Sequence, residues 1–299
     1  MGDLVIDEEL VRSLLRAQQP ELADRDLMAV PGGGNNRIWR LGEDLAVRLP
    51  RTDRAARLVE QEHRWVPELA PHLPIPVPVP VHLGAPSDRF DRPWIVTTWI
   101  EGEPGDQRPI TNGPAAAASL AAFMRALHRE APKDAPFNRG RSVPLVEFAD
   151  YFTRCLQVVT APDAAARARE VWEQAVTAPP WPAAPSWIHA DLHPSNIVVA
   201  EGTLAGVLDF GELCAGDPAT DLASAWMLLP QAALTECIEA YGNADEAMIH
   251  RARGWAVMRS VAFIAIGLAG ERGESWGMPT WKRVGEAALD RALADQKFR

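Results

Sequence analysis

One part of the sequence combines the residue types that phosphoryl transfer requires. Residues 189–196 read HADLHPSN, and residues 209–211 read DFG. Transfer of a phosphoryl group needs one carboxylate beside the attacking hydroxyl and separate oxygen ligands for a magnesium ion on the nucleotide, since magnesium prefers oxygen. Asp191 offers the first carboxylate, and Asn196 and Asp209 offer the metal ligands. The two motifs therefore predict a site where a hydroxyl, a nucleotide and Mg²⁺ meet.

Turn chemistry is the simpler explanation for an Asp and an Asn in one loop, because both residues favour turns for local hydrogen-bonding reasons. Two short apolar runs, 197–199 and 206–208, separate the motifs and predict a hairpin with Glu201 and Gly202 in its turn. Asp209 follows this hairpin, and the segment GDPATDLA comes soon after it. Together the three features are more specific to phosphoryl transfer than one loop with an Asp and an Asn would be. His189 and His193 are expected to orient the loop, because no Cys or third His stands at zinc-like spacing.

On these motifs the chain resembles the aminoglycoside phosphotransferase family, whose members are relatives of the protein kinases. HADLHPSN stands where that family has a catalytic loop of the form HGDxxxxN, and DFG stands where it has its metal-binding Asp. The resemblance implies that Asp191 is the catalytic base or hydroxyl-orienting group and that Asn196 and Asp209 hold Mg²⁺. GDPATDLA matches the family segment GDPxxDLA, which implies that Asp221 braces the catalytic loop. Ala190 replaces the usual Gly, and we expect activity to survive that change.

Two charged residues of the N-terminal part are expected to form an ion pair. Alternation along residues 45–49 puts Arg48 on the face opposite three apolar side chains. In the helix that follows, Glu62 shares a stripe with apolar residues, so its carboxylate needs a partner, and Arg48 is the natural one. In kinase-like folds such a pair positions the nucleotide phosphates. Arg48 stands where kinases more usually have Lys, but it keeps the positive charge and can form two parallel hydrogen bonds. The alternative is that Glu62 is a surface residue at the edge of its helix.

Two backbone segments are candidates for nucleotide binding. Residues 31–36 read PGGGNN, and Gly33 and Gly34 would let backbone amides approach a phosphate closely, although a flexible turn explains them as well. The segment from Trp94 to Gly102 resembles the family's inter-lobe hinge. That resemblance implies that the backbone of Thr98 and Ile100 hydrogen-bonds the purine of ATP or GTP; the alternative is an ordinary edge strand.

The elements that must position these residues change character near residue 104. Before it, a helix is predicted at 5–16 and strands at 37–41, 45–49, 80–83 and 94–98. The prolines of 71–80 remove ladder donors, which makes that stretch an extended connection or a sheet edge. After residue 104, a helix is predicted between Pro114 and Pro132, followed by helices near 145–158, 163–178, 218–243, 246–269 and 280–296.

We therefore predict an α+β fold that is, by resemblance, protein-kinase-like and bilobal. Residues 1–103 form the small mixed N-terminal β lobe with the nucleotide site and the hinge. Residues 104–299 form a larger, mainly helical lobe with the catalytic loop and the acceptor site. A cleft where two such lobes join is a usual place for a ligand.

The bulk properties exclude several classes of function. With 299 residues and 47% hydrophobic content the chain can bury a large core. A net charge of -10 argues against nucleic-acid binding and suits either a cationic substrate or simple solubility. The three cysteines fit neither a disulfide framework nor a CxxC site, and no targeting segment is visible, so a cytoplasmic protein is expected. The longest apolar stretch, 261–270, is too short to span a bilayer, which implies no membrane role.

The function predicted by these observations is an ATP- or GTP-dependent, Mg²⁺-dependent O-phosphotransferase that acts as a monomer or weak homodimer on a small-molecule hydroxyl. The family name and the negative net charge of the chain favour an aminoglycoside-type acceptor. A metabolite kinase of homoserine, choline or sugar type and a catalytically idle nucleotide-binding module are the alternatives. A phosphatase or metallohydrolase is disfavoured because His-rich metal ligands are missing. Candidate contacts to a cationic acceptor are Glu212, Asp217, Glu271 and Glu274.

Overall fold

The computed structural model describes residues 5–31 and 34–294 and divides the chain into two compact units. The first unit extends to Glu101 and also contains Leu208–Gly211. The second unit consists of Gly102–Val207 and the chain from Glu212 onward. The DFG motif at 209–211 therefore belongs to the first unit, whereas the loop at 189–196 belongs to the second.

The first unit contains one antiparallel sheet of five strands in the order β1-β2-β3-β5-β4. Its strands are β1 (Leu27–Val30), β2 (Asn36–Leu41), β3 (Leu45–Pro50), β4 (Pro80–Gly84) and β5 (Trp94–Thr98). Its helices are α1 (Glu8–Gln18) and α2 (Asp53–Leu69). The four predicted strands are confirmed, and β4 is an edge strand, as expected for a segment that follows several prolines. The sequence pattern did not indicate β1.

The core of the first unit forms between α1 and the sheet. Leu10, Val11, Leu14 and Leu15 lie on one face of α1, and they cluster with side chains of β2, β3 and β5. The helix begins where Asp7 accepts a hydrogen bond from the backbone N–H of Leu10 at 2.9 Å, which satisfies one of the free donors of the first turn. Strand β3 lies in the centre of the sheet, between β2 and β5.

The second unit is mainly helical. Its helices are α3 (Gly113–Leu127), α4 (Ala149–Leu156), α5 (Pro162–Thr177), α6 (Ala219–Leu222), α7 (Ser224–Leu228), α8 (Leu234–Tyr241), α9 (Glu246–Glu271) and α10 (Thr280–Ala294). Its short strands are β6 (Glu103–Pro104), β7 (Ser186–Ile188), β8 (Ile197–Ala200), β9 (Thr203–Val207) and β10 (Cys214–Gly216). Strand β8 pairs with β6 and β9, and β7 pairs with β10. The small N-terminal β part and the larger helical part of the prediction are confirmed.

The predicted hairpin between the two motifs is confirmed as β8 and β9. Glu201 and Gly202 both have positive φ, 51° and 76°, as a tight two-residue turn between antiparallel strands requires. Asn196 is the residue immediately before β8, so the hairpin fixes the end of the HADLHPSN loop.

The prediction of one helix over 218–243 is wrong. The chain there forms α6, α7 and α8, with an extended residue at Leu229 (φ -87°, ψ 149°) directly before Pro230. The proline ring disfavours helical geometry in the preceding residue and removes a helical donor. The proline was visible in the sequence and should have ended the predicted helix.

Helix α9 is the one described helix that is long and apolar enough to cross a membrane by length and composition. It lies instead at the centre of the second unit, where 83% of its apolar window is buried inside the protein. Helices α5 and α10 pack against it. The prediction of a core helix in this region is confirmed.

Candidate active site

The loop between β7 and β8 brings Asp191 and Asn196 together. The side-chain amide nitrogen of Asn196 lies 3.0 Å from the backbone oxygen of Asp191 and 3.2 Å from its carboxylate oxygen Oδ2. The same nitrogen lies 3.1 Å from Nε2 of His193. These contacts use the nitrogen of the amide and leave its oxygen for another ligand. The loop therefore presents a carboxylate and an amide oxygen side by side.

Asp221, at the C-terminal end of the GDPATDLA segment, anchors the start of this loop. Its carboxylate is fully buried and accepts hydrogen bonds from the backbone N–H groups of His189 (2.6 Å) and Ala190 (2.8 Å). Nε2 of His128 lies 3.3 Å from Oδ2, the oxygen that also accepts from His189. Burial by itself raises the pKa of Asp221, but the hydrogen bond to His128 and the electrostatic effects of His128, His189 and Arg259 together outweigh burial and hold the pKa below its usual value. The predicted bracing role is confirmed by these contacts.

The carboxylate of Asp191 is held ionised by the side chains around it. Arg141 donates from Nη2 to Oδ1 at 3.0 Å, and Nε2 of His193 lies 3.4 Å from Oδ2. Burial favours the neutral acid, but His193, Arg141 and Arg259 together outweigh burial and hold the pKa of Asp191 well below its ordinary value. A carboxylate with so low a pKa is a weak base. It can nevertheless accept a hydrogen bond from a hydroxyl and orient it.

In the first unit, Arg48 on β3 and Glu62 on α2 form the predicted ion pair. The two guanidinium nitrogens Nη1 and Nη2 donate to the two carboxylate oxygens at 2.6 and 2.9 Å, and both side chains are buried. Burial alone lowers the pKa of Arg48, but the carboxylates of Glu62 and Asp209 outweigh burial and raise the pKa above its ordinary value. The bidentate geometry fixes the orientation of the guanidinium. The pairing is confirmed, while contact with phosphates stays a prediction.

The DFG segment packs against the same helix. Asp209 adopts a left-handed backbone conformation with φ 58°, and its Oδ1 lies 3.9 Å from Nη2 of Arg48. Gln61 donates to the backbone oxygen of Gly211 at 3.1 Å. A Cβ at position 211 would meet Leu58 at 3.0 Å, so only glycine fits without a shift of α2. The Asp209 side chain stays 38% exposed, which leaves its carboxylate accessible to a ligand.

The structure gives few contacts for the other four residues predicted to bind the nucleotide, which are Gly33, Gly34, Thr98 and Ile100. Gly33 lies outside the described residues. A Cβ at Gly34 would meet nothing within 4 Å, so no contact with the described residues requires glycine at this position. The backbone N–H of Thr98 donates to Val79 at 2.9 Å, so a purine contact at Thr98 would fall to its carbonyl oxygen. Ile100 lies beyond the end of β5.

A family model described as the phosphotransferase enzyme family matches residues 26–260, which is more than half of the chain. The chain belongs to this family. No curated protein is similar enough in sequence to count as a match to this phosphotransferase.

Solved structures of antibiotic phosphotransferases share the fold of this phosphotransferase. The GDP and kanamycin complex of APH(2")-IIia is 18% identical with a TM-score of 0.68, and the match covers 96% of this chain and 99% of that one. Macrolide 2'-phosphotransferase MphH from Brachybacterium faecium is 24% identical with a TM-score of 0.59, covering 95% and 98%. A macrolide 2'-phosphotransferase of type I is 18% identical with a TM-score of 0.60, covering 97% and 99%. Family and fold together make this phosphotransferase an enzyme that transfers phosphate to a hydroxyl.

A cavity of about 450 Å³ opens beside Asp191 within the second unit of this phosphotransferase. Its wall carries the charged side chains of Asp191, Arg141 and Arg259. Most of the remaining wall is apolar and comes from Phe148, Tyr151, Met258, Phe263, Ile266 and Trp281. Sequence reasoning missed both arginines and Trp281, because they lie far from the motifs in the chain.

The four acids considered as contacts for a cationic acceptor are absent from the described wall of this cavity. Each has a partner elsewhere: Asp217 pairs with Arg251, Glu271 with Lys282, and Glu274 with Arg272. Glu212 accepts a hydrogen bond from Asn138. Their charges are therefore already compensated by neighbouring side chains.

Proposed function

We propose that this chain is a nucleoside triphosphate-dependent O-phosphotransferase in which Asp191 orients the hydroxyl of a small-molecule acceptor. The observation that supports this most directly is the placement of the ionised Asp191 carboxylate in the wall of a ligand-sized cavity. Asn196 and Arg141 fix the carboxylate from two sides. The acceptor hydroxyl donates its hydrogen bond to Asp191, and that bond aims the hydroxyl oxygen at the phosphoryl donor.

In the proposed reaction, the acceptor oxygen forms a bond to the γ-phosphorus while the bond from that phosphorus to the β–γ bridging oxygen breaks. The products are a phosphate monoester and a nucleoside diphosphate. The hydroxyl proton passes to solvent, because the depressed pKa makes Asp191 unsuited to keep it. Orientation rather than strong base catalysis suits this reaction, since the transition state is loose and little proton transfer precedes it.

We propose Asn196 and Asp209 as the magnesium ligands. The donor set fits the ion, because an amide oxygen and a carboxylate are both hard oxygen ligands. The amide nitrogen of Asn196 is engaged by Asp191, which leaves the amide oxygen for a metal. The Asp209 carboxylate is partly exposed in the first unit. When bound, Mg²⁺ neutralises charge on the nucleotide phosphates.

We propose the first unit as the nucleotide-binding part, with Arg48 contacting phosphate while Glu62 holds it in position. Gly33 and Gly34 would bring backbone amides to the phosphates. Backbone groups of Thr98 and Ile100 would contact the purine of ATP or GTP. The relatives solved with GDP and with ADP support a nucleotide as donor.

The described cavity wall favours an acceptor with an apolar body. Aromatic and aliphatic side chains cover most of the wall, and a ligand that buries apolar surface against them gains about 25 cal/mol for each Å². An aminoglycoside-type acceptor is the second candidate, and the kanamycin and gentamicin complexes of relatives favour it. The proposed setting is the cytoplasm, since Cys155, Cys214 and Cys237 are free and buried.

The test is turnover by the full chain with Mg-ATP or Mg-GTP and a panel of acceptors that includes kanamycin, a macrolide and hydroxylated metabolites. We expect a phosphorylated product from at least one acceptor and a loss of about 100-fold or more in kcat for Asp191→Asn. Asp163→Asn, an exposed carboxylate on α5, is the matched control and should keep full activity.

Three outcomes would count against the proposal. Nucleotide binding without any phosphorylated product would favour an idle binding module. Release of phosphate that no acceptor changes would favour a hydrolase. Full activity in Asp191→Asn would remove the assigned role of that carboxylate.

A further inference from the structure

A series of buried polar contacts connects helix α8 to the HADLHPSN loop. Tyr241, the last residue of α8, places its hydroxyl 2.9 Å from Nδ1 of His128. His128 directly follows α3, and its other ring nitrogen, Nε2, lies 3.3 Å from Oδ2 of Asp221. Asp221 in turn accepts the backbone N–H groups of the two residues that precede Asp191. The contacts therefore link a tyrosine on α8 to the backbone that carries Asp191.

Water has little access to these three side chains. Tyr241 is 4% exposed, the side chain of His128 is 3% exposed, and Asp221 is fully buried. The rings of Tyr241 and His128 also pack edge to face, with centroids 5.6 Å apart. A polar group that is shielded from water depends on its protein partners, so each contact in the series constrains the next one.

The two partners of His128 determine where its ring proton lies. Asp221 accepts from two backbone N–H groups, and its carboxylate can bond to Nε2 only if that nitrogen supplies a proton. The buried hydroxyl of Tyr241 needs an acceptor, and Nδ1 can be that acceptor only while it carries no proton. Burial, together with the charges of Asp221 and Asp217, raises the pKa of Tyr241, so the hydroxyl keeps its proton. The neutral imidazole with its proton on Nε2 satisfies both contacts.

We propose that Tyr241 is a positioning residue for the proposed phosphoryl transfer and that it acts through His128. Its O–H donates to Nδ1 and holds the imidazole in the tautomer that donates from Nε2 to Asp221. In the other tautomer an unprotonated Nε2 would face the carboxylate, and the two lone pairs would repel each other. Asp221 would then hold the loop less firmly, and Asp191 would orient the acceptor hydroxyl less well. The inference rests on the proposed function and adds a residue on α8 to the groups that support it.

The simpler explanation is that Tyr241 only packs α8 against α3. The same two helices share a second polar contact, in which Arg125 donates from Nη1 to the backbone oxygen of Ala240 at 2.9 Å. That hydrogen bond joins the helices without involving His128. Arg125→Met removes it and is therefore the matched control, because it weakens the contact between the helices but leaves the imidazole and its partners in place.

The first experiment measures phosphorylation with Mg-ATP and either kanamycin or a macrolide, whichever is phosphorylated faster. Tyr241→Phe removes only the hydroxyl. It should lower kcat about 3- to 10-fold, as the loss of one hydrogen bond implies, and leave KM for both substrates within about twofold of wild type. Arg125→Met should keep the wild-type kcat. An unchanged kcat in Tyr241→Phe, or an equal fall in Arg125→Met, would overturn the inference.

A double-mutant cycle tests whether Tyr241 acts through the imidazole. His128→Gln keeps an N–H donor near the position of Nε2 but removes the acceptor at Nδ1. Tyr241→Phe should therefore change kcat by less than about twofold in the His128→Gln background. The same fall in both backgrounds would show that Tyr241 acts independently of His128, which would also overturn the inference. Thermal denaturation shows whether each variant is folded at the assay temperature.

A second experiment needs neither nucleotide nor acceptor. The ¹⁵N chemical shifts of the ring distinguish the two tautomers of a histidine, and the signal that His128→Gln removes identifies His128. We expect the proton on Nε2 in the wild-type chain and a mixture of tautomers in Tyr241→Phe. Backbone amide exchange at His189 and Ala190 should become several-fold faster in Tyr241→Phe but not in Arg125→Met. A proton on Nδ1 in the wild-type chain, or an unchanged tautomer in Tyr241→Phe, would overturn the inference.

The inference and the proposed function fail in different ways. If the wild-type chain phosphorylates no acceptor, the proposed function fails, while the ring shifts and the amide exchange still show whether Tyr241 acts on the loop. If an acceptor is phosphorylated but Tyr241→Phe changes neither kcat nor the tautomer of His128, the proposed function stands and the inference fails.

Discussion

The carboxylate of Asp221 accepts the backbone N–H of His189 at 2.6 Å. Its other oxygen accepts the N–H of the next residue, Ala190, at 2.8 Å. Asp221 lies on α6 and is fully buried, so neither bond is exchanged with water. The two bonds fix the backbone of the two residues that precede Asp191 in the loop. A carboxylate outside the loop therefore sets the direction of the residue proposed to orient the acceptor.

Asp221→Asn is expected to destabilise the protein by about 3 kcal/mol. The amide keeps the shape, but it replaces one acceptor oxygen with a donor that faces a backbone N–H, and hydrogen bonds to a charged group contribute about 1.5–3 kcal/mol each. Urea denaturation at neutral pH measures the free energy of unfolding. Glu173→Gln, which is exposed, should change it by less than about 0.5 kcal/mol. A loss no larger than that of the control would show that the brace does not stabilise the fold.

The stabilisation by Asp221 should depend on pH in a defined direction. Its pKa in the folded protein is below the ordinary value, because His128, His189 and Arg259 together outweigh the opposing effect of burial. The contribution is then complete above the unfolded pKa of about 3.9 and is lost as pH falls through the folded pKa. The difference in unfolding free energy between the wild-type protein and Asp221→Asn should be larger at pH 5 than at pH 3. A difference that grows on acidification would contradict the assigned direction.

Ala190 has a left-handed backbone with φ 71°, where a side chain is strained. Glycine would relieve about 1–2 kcal/mol of this strain, but it would lose about 0.8 kcal/mol of methyl burial and about 0.5–1 kcal/mol of chain entropy. Ala190→Gly should therefore leave the unfolding free energy within about 1 kcal/mol of wild type. Ala190→Val should cost more than about 2 kcal/mol, because β-branched residues almost never adopt positive φ.

The matched control for this position is Ala165→Gly, at an ordinary helical alanine in α5. It should cost about 1 kcal/mol. If Ala190→Gly costs as much as or more than Ala165→Gly, the strain at Ala190 is smaller than inferred. This comparison also explains how the chain keeps Ala where its family usually has Gly: the opposing terms nearly cancel.

The sequence predicted the parts of the fold whose signal is local. Alternation in β3 and the helical stripe in α2 were enough to predict that Arg48 and Glu62 would pair, since each pattern assigns a face to its residue. The hairpin turn at Glu201 and Gly202 was equally visible, because turns depend on a few adjacent residues. Strand β1 was missed because residues 27–30 show no alternation that distinguishes them from a loop.

The cavity beside Asp191 could not be predicted, because its residues come from separate parts of the chain. Arg141 lies in an irregular segment, Arg259 lies inside the apolar helix α9, and Trp281 lies in the first turn of α10. No spacing rule connects them, and only tertiary packing brings them to Asp191. The acidic net charge suggested a cationic acceptor, yet the local charge of the wall has the opposite sign. Net charge describes the whole surface and is a poor guide to one cavity.

The ion pair of Arg48 and Glu62 should be costly to break from one side only. Arg48→Met leaves the Glu62 carboxylate buried without a partner, and such changes cost about 3–5 kcal/mol. Arg48→Met combined with Glu62→Leu should recover much of that loss, because two apolar side chains replace two desolvated charges. Chemical denaturation of both single variants and the double variant forms the thermodynamic cycle. Additive losses in the double variant would show that the two side chains do not stabilise each other.

The last prediction concerns the contact between α10 and the HADLHPSN loop. Trp281 donates from Nε1 to the hydroxyl of Ser195 at 3.0 Å and stacks on Phe263 with ring centroids 4.1 Å apart. Trp281→Phe keeps an aromatic ring for the stack but loses the hydrogen bond, so it should cost about 1 kcal/mol or slightly more. Ser195→Ala removes the same bond from the other side.

A double-mutant cycle on these residues should give a coupling of about 0.5–1.5 kcal/mol, because the two single variants lose one shared bond. Trp276→Phe is the control, since this tryptophan is 59% exposed and its replacement should change stability little. If the proposed function holds, Trp281→Phe should raise KM for the acceptor more than it lowers kcat, because Trp281 lines the cavity while Asp191 keeps its other contacts. A coupling near zero would mean that α10 does not support the loop through this bond.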